Sequence, residues 1–173
     1  MNSQNILIKI IQNSQRRHFS SFLAHERNEP LRKLVLQPIF FPASGDILQR
    51  TISIMKDARL KKETFFAADY PSVDASALSA IRRLPDLPSL LCFFPTYHAN
   101  GEYISSDLPV MEIQRAGAEQ WYRSNPLAMD ALSLFFCISP NFSCGMIMDV
   151  CAGDPLTSGS DDPIYDIYSW NFE

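Results

Sequence analysis

The residues best suited to chemistry in this chain are three histidines and four cysteines: His18, His25, His98, Cys92, Cys137, Cys144 and Cys151. Nucleophilic catalysis needs a thiol or hydroxyl beside a base, and Cys92 and His98 are neighbours in sequence. Cys92, however, lies in the apolar run 90–94, where a thiol behaves as a small buried hydrophobe. No G-x-S-x-G, P-loop or cysteine-protease signature is present. We therefore predict that the protein is not an enzyme, with a small enzyme built around His98 and Cys or Asp residues as the alternative.

Metal binding is not indicated by the spacing of the ligand-type residues. His18 and His25 are two helical turns apart and could share a face, but the sequence places no clear third ligand beside them. The acids of the loop 153–163 lack the EF-hand spacing and its terminal Glu. No C-x-x-C occurs, and a chain of this length can build a core without cross-links. We predict reduced, structural cysteines, no metal and no cofactor.

Charge is distributed very unevenly along the chain. Residues 1–68 hold eleven Lys/Arg against five Asp/Glu, whereas residues 124–173 hold seven Asp/Glu and no Lys or Arg. A surface dense in one sign of charge repels itself, which lowers the stability of the folded state. This loss of stability is easiest to understand if a partner of opposite charge binds there. A pI near 5.3 disfavours general nucleic-acid binding. The sequence therefore predicts an acidic C-terminal surface that meets a basic protein.

The predicted partner-binding residues are carboxylates and amphipathic aromatics near the C-terminus: Asp149, Asp154, Asp161, Asp162, Asp166, Tyr165, Tyr168 and Trp170. The carboxylates would steer association, and the aromatics would supply buried contacts. Packing in the core is the alternative for the three aromatics. The partner favoured by this pattern is a basic toxin or effector domain, while a chaperone or adaptor for a secreted effector is a further alternative. Oligomeric state is left open.

The hydrophobic pattern predicts a single α+β domain over residues 1–173, with helices mainly in the N-terminal half and an antiparallel sheet mainly in the C-terminal half. Asn100–Gly101 is a strong hairpin signal, and Pro38 indicates an edge strand or a bulge. A cap at Ser72 or Asp74 is expected for the third helix. Predicted helices cover residues 3–26, 46–66, 74–84 and 112–123; predicted strands cover 34–41, 145–152 and 164–172; residues 131–139 are a strand or a short helix.

Residues 131–170 resemble the closing strands of the SMI1/KNR4 (SUKH) superfamily. The resemblance rests on the turn 139–145, the strand 146–150 that ends in Asp149 and Val150, and the later segment 162–170, which begins Asp-Pro-Ile-Tyr. The Asp-His that usually follows the last strand of that family is here replaced by Ser-Trp-Asn at 169–171. The resemblance implies an α+β fold and an immunity-type role, in which the protein binds and blocks a toxin. It implies no catalytic residues.

The sequence gives no sign of a membrane span or a secretory leader. No apolar run approaches the roughly 18 residues that a transmembrane helix needs. Residues 1–25 contain no acid and include Arg16 and Arg17, a composition that resembles a mitochondrial presequence. An amphipathic first helix of the folded domain explains the same residues. We predict a cytoplasmic protein with no membrane partner.

Overall fold

The computed structural model describes residues 3–66, 69–93, 96–99, 102–105, 108–123, 133–151 and 162–172. Helices dominate the N-terminal half, and an antiparallel sheet of seven strands lies mostly in the C-terminal half. The predicted α+β class is therefore confirmed. No helix in these ranges is long and apolar enough to cross a membrane.

The helices and strands are numbered in chain order. The helices are α1 Ser3–Ala24, α2 Glu29–Arg32, α3 Ala43–Ile54, α4 Tyr70–Arg82 and α5 Ala118–Arg123. The strands are β1 Val35–Ile39, β2 Lys61–Phe66, β3 Ser89–Phe93, β4 Thr96–Ala99, β5 Glu102–Ser105, β6 Val110–Gln114, β7 Ser133–Ile138, β8 Cys144–Cys151 and β9 Ile164–Asn171.

The main sheet has the strand order β1-β6-β3-β7-β8-β9-β2, and every neighbouring pair is antiparallel. Strand β2 comes early in the chain but closes the sheet beside β9, the last strand. This pairing brings the basic front of the chain against its acidic end. Strands β4 and β5 form a separate hairpin across Asn100–Gly101, so the predicted hairpin is confirmed.

Hydrophobic clusters cover both faces of the sheet. The first cluster joins one face to α1, α4 and α5, through residues such as Phe22, Ile81 and Trp121. The second joins the other face to α3, which contributes Ile47, Leu48 and Ile54. Successive residues of a strand point to opposite faces, so β8 supplies Met146 and Met148 to the first cluster and Ile147 to the second. Because of this alternation, most neighbouring residues in β9 and at the end of β8 differ in their exposure to solvent.

Several predicted elements are confirmed with small shifts of their ends. The first helix, the strands at 145–152 and 164–172, and a strand rather than a helix at 131–139 are all present. Strand β1 lies at the edge of the sheet and its register shifts between Val35 and Gln37, just before Pro38. Both expectations from Pro38 are therefore met, since proline lacks the N–H that a central strand would need.

Two predicted helices are wrong in part. The helix predicted over 46–66 ends at Ile54, and residues 61–66 form β2. The last turn of α3 therefore contains no basic residue, and Lys61 and Lys62 lie on a strand rather than at a helix end. Residues 110–114, which overlap the helix predicted over 112–123, form β6. In both cases pairing with a neighbouring strand, β9 or β3, decides the local structure.

The start of α4 also differs from its prediction. The helix begins at Tyr70, before the expected cap positions Ser72 and Asp74, and Asp69 occupies the N-cap position without a side-chain capping bond. Pro71 lies in the first turn. Backbone N–H groups there have no hydrogen-bond partner within the helix, so the N–H that proline lacks costs no helical hydrogen bond. The proline, rather than a capping side chain, therefore marks the beginning of this helix.

Candidate functional site

Two of the predicted carboxylates, Asp149 and Asp166, lie directly opposite each other on β8 and β9. Both are half-buried, on the sheet face that carries the second cluster. Side chains at directly opposed positions are close neighbours, with Cβ atoms about 4.5–5.5 Å apart. The fold therefore brings two like charges together in a partly desolvated setting, where their repulsion exceeds that in bulk water.

Strand β2 partly offsets this charge from the other side of Asp166. Lys62 Nζ lies 2.8 Å from Asp166 Oδ2, and Thr64 Oγ1 donates a hydrogen bond of 2.6 Å to Asp166 Oδ1. The hydrogen bond to Asp166 raises the pKa of Lys62. One lysine thus serves a pair of carboxylates, and Asp149 has no ion pair among the residues that the structure describes.

Tyr168 is the predicted aromatic residue that lies on this surface. It is half-buried, and Lys62 Nζ lies 5.4 Å from the centre of its ring. Burial raises the pKa of its hydroxyl, and the charge of Asp166 adds to the effect. We call this surface the acidic face: Asp149, Asp166 and Tyr168, with Lys62 and Thr64 beside them.

The other two predicted aromatics belong to the core. Tyr165 is fully buried on the opposite face of β9 and packs edge-on against Tyr70 at a ring distance of 6.1 Å. Trp170 is 6% exposed, and its Nε1 donates to the carbonyl oxygen of Phe142 at 3.1 Å. The prediction that Tyr165 and Trp170 contact a partner is therefore corrected, because Tyr165 has no accessible side-chain surface and Trp170 keeps only a small exposed fraction.

The remaining predicted carboxylates are in the connection between β8 and β9. Asp162 is exposed, just before β9 begins. Asp154 and Asp161 lie outside the described residues. The strand ends that this connection joins, Cys151 and Ile164, are paired with each other beside the acidic face.

The burial of Cys92 disfavours a role for its thiol as a nucleophile. Its thiol is fully buried, 3.1 Å from Cys137 Sγ on the neighbouring strand. Burial raises the pKa of Cys92, and the hydrogen bond to Cys137 adds to this, so the reactive thiolate is disfavoured. His98 lies on β4 and pairs with Tyr103, but its side chain is outside what the structure describes.

The other cysteines are free as well, and only Cys151 is exposed. Its Sγ lies 3.5 Å from Asp149 Oδ2. Burial raises its pKa, and the charge of Asp149 raises it further. Within the described ranges, no three His, Cys, Asp or Glu side chains are grouped so that they could hold a metal ion.

Sequence reasoning missed the contribution of β2 to this surface. The helix predicted over residues 46–66 includes Lys62 and Thr64, and positions two apart on a helix do not share a face. The spacing of two residues between Lys62 and Thr64 is the available signal for a strand, because residues 61–66 alternate between the two faces of the sheet.

Comparison with protein-family models, with curated proteins and with solved structures finds no match to this chain.

Proposed function

We propose that this protein is a non-enzymatic, immunity-type inhibitor that neutralises a basic toxin or effector domain through its acidic C-terminal surface. The observation that carries the proposal is the opposed pair Asp149 and Asp166, half-buried on the acidic face, for which the described residues supply one ion-paired lysine. Like charges placed directly across a strand pair are destabilising. A partner that brings cations to this face would relieve that repulsion.

The apolar surroundings of the acidic face support a protein partner over a small ion. Tyr168 is half-buried beside the carboxylates, and Phe66, at the end of β2, is 49% exposed. Phe66 pairs with Ile164 in the ladder, two positions from the pair formed by Thr64 and Asp166. Half-exposed aromatics beside charged groups are typical of interface anchors, which lose their remaining water on binding.

The proposal is tested with two charge-neutralised variants of equal net charge. The first is Asp149→Asn/Asp162→Asn, and the second, a matched control, is Asp46→Asn/Asp86→Asn, which removes two exposed carboxylates elsewhere. Each protein is immobilised and exposed to extract of the native host, and retained proteins are compared quantitatively. We expect a basic protein that wild type and control retain and that the first variant loses.

Association kinetics of that protein then test the mechanism. Electrostatic steering changes mainly the association rate and its dependence on salt. We expect the rate for Asp149→Asn/Asp162→Asn to fall by about tenfold at low ionic strength, with a shallower salt dependence. Neutralising Asp154, Asp161 and Asp162 together should act in the same direction. An association rate equal to that of the control would refute an acidic docking surface, provided that thermal unfolding shows the variant to be folded.

A further inference from the structure

A groove with the opposite charge lies at the other end of β9, beyond the acidic face. Its volume is about 650 Å³. Three cations line it: Arg59 from the turn before β2, Lys61 from β2, and Arg83 from the end of α4. Ser169, Trp170 and Asn171 of β9 complete the part of the lining that matters here. Arg59 and Lys61 belong to the basic segment 1–68, and the fold adds Arg83 from the end of α4 beside them.

Arg59 is held in place by two neighbours. Asp57 accepts hydrogen bonds from its Nε at 3.0 Å and from its Nη2 at 2.6 Å. The guanidinium also stacks over the ring of Phe172, with 4.2 Å between the guanidinium carbon and the ring centre. These contacts leave Nη1 without a hydrogen-bond partner among the described residues. An arginine fixed in this way loses little side-chain freedom when it binds an anion.

The other two cations are available to a ligand in different ways. Lys61 lies opposite Ser169 in the strand ladder and pairs with Glu63 at 3.1 Å, with 58% of its side chain exposed. Such exposed ion pairs are weak, so a bound anion can replace Glu63 as the partner of Lys61. Arg83 donates to Ser79 Oγ at 2.8 Å and forms no direct ion pair within the described ranges, although its charge helps to lower the pKa of Glu63 after the hydrogen bonds from Ser76 and Lys61.

We propose that this groove binds a small molecule bearing a phosphate group. An arginine fork matches phosphate oxygens in pairs; Arg83 can present such a fork, and Nη1 of Arg59, Lys61 and the polar side chains of Ser169 and Asn171 add further donors. The space exceeds that of one phosphate, so the groove has room for an organic group attached to it. This site is separate from the acidic face and does not rest on the proposed function.

The test uses inorganic pyrophosphate as the probe, followed by nitrogen–proton NMR at constant ionic strength. The protein contains two tryptophans, and the indole signal of Trp170, at the groove, serves as the reporter, while Trp121, buried in the first cluster, is the internal reference. We expect a saturable shift of the Trp170 signal alone. In Arg83→Gln the apparent affinity should fall by about tenfold or more, since a charged hydrogen bond is lost. Lys9→Gln, which removes an exposed cation from α1, should bind as wild type does.

Parallel titrations identify the source of the phosphate and can overturn the proposal. Adenosine monophosphate that binds more tightly than inorganic phosphate would show that the organic group also contacts the groove, and equal binding would assign recognition to the phosphate alone. The proposal fails if no probe gives a saturable shift, if Arg83→Gln binds as well as wild type, or if malonate binds as tightly as pyrophosphate. Retained pyrophosphate binding by Asp149→Asn/Asp162→Asn would separate this site from the acidic face.

Discussion

At the scale of single residues, Asp149 influences two neighbours through its charge. It lies opposite Asp166 in the strand ladder, and its Oδ2 accepts a weak hydrogen bond from the thiol of Cys151 at 3.5 Å. Both contacts are on a surface that is only partly hydrated, so the field of the carboxylate is not fully screened. Cys151 can therefore report on the electrostatics of the acidic face without any knowledge of the partner.

The reactivity of Cys151 should increase when Asp149 is neutralised. Burial, and then Asp149, raises the pKa of this thiol, so a smaller fraction is thiolate at any given pH, and reaction with a thiol reagent is slowed. Asp149→Asn removes the charge, lowers the pKa and should accelerate the reaction at pH 8 by about two- to fivefold. The measurement is the rate of modification of the native protein by an aromatic disulfide reagent.

Asp86→Asn is the matched control, because it removes an exposed carboxylate elsewhere. In the native wild-type protein only Cys151 should react rapidly, since Cys92, Cys137 and Cys144 are buried. Equal rates for Asp149→Asn and Asp86→Asn would mean that Asp149 does not control the thiol.

At the scale of elements, β2 has a second role as an edge of the main sheet. An edge strand presents unpaired backbone groups that can template association with another chain, and charged side chains, lysine especially, oppose this. Strand β2 begins Lys61, Lys62 and Glu63, whereas the opposite edge, β1, contains Pro38 and a shift in register. The two edges are thus protected in two different ways.

Removing the lysines of β2 should promote self-association. Lys61→Val/Lys62→Val raises the β-propensity of the strand and removes the repulsion between edges. We expect light scattering that grows with protein concentration. The free energy of unfolding should also fall, by more than the roughly 1 kcal/mol of an exposed ion pair, because Asp166 loses its counter-charge Lys62. Lys9→Val/Lys33→Val alters net charge equally at two exposed positions outside the sheet and should stay monodisperse. Equal scattering from the two variants would contradict this role of β2.

The same strand shows how far the sequence determines the fold. Structure that neighbouring residues determine is predicted correctly: Asn100–Gly101 indicates the hairpin, Pro38 indicates the edge strand, and the alternation from Met146 to Val150 indicates a strand. The helix predicted over residues 46–66 is wrong at β2 because the partner strand, β9, lies about a hundred residues further along the chain. No local pattern reveals that pairing, which tertiary contacts impose.

The candidate site was predictable to the same extent. The density of carboxylates near the C-terminus led to Asp149 and Asp166, and the structure places them side by side. Sequence could not separate Tyr168 from Tyr165 and Trp170, since which side of a strand is accessible depends on what covers each face. The counter-charge of Lys62 and the basic groove both depend on the pairing of β2 with β9, which no local pattern in the sequence predicts.

At the scale of the whole molecule, the two hydrophobic clusters share one sheet. Trp121 belongs to the cluster formed with α1, α4 and α5, and Trp170 belongs to the cluster formed with α3. Strands β8 and β9 contribute alternate residues to both, for example Met148 and Ile147. Loss of either cluster would expose the strands on which the other is built. The two faces are therefore expected to unfold together, as one cooperative unit.

The two tryptophans allow each face to be followed separately. Trp170→Phe leaves Trp121 as the reporter of the first cluster, and Trp121→Phe leaves Trp170 as the reporter of the second. Each substitution should lower the free energy of unfolding by about 1–3 kcal/mol, because a large buried ring is replaced by a smaller one. Within each variant, the fluorescence midpoint in urea should coincide with the midpoint from far-ultraviolet circular dichroism. If fluorescence in either variant changes at a lower urea concentration than the circular dichroism, that face unfolds independently, and residues 1–173 do not behave as a single domain.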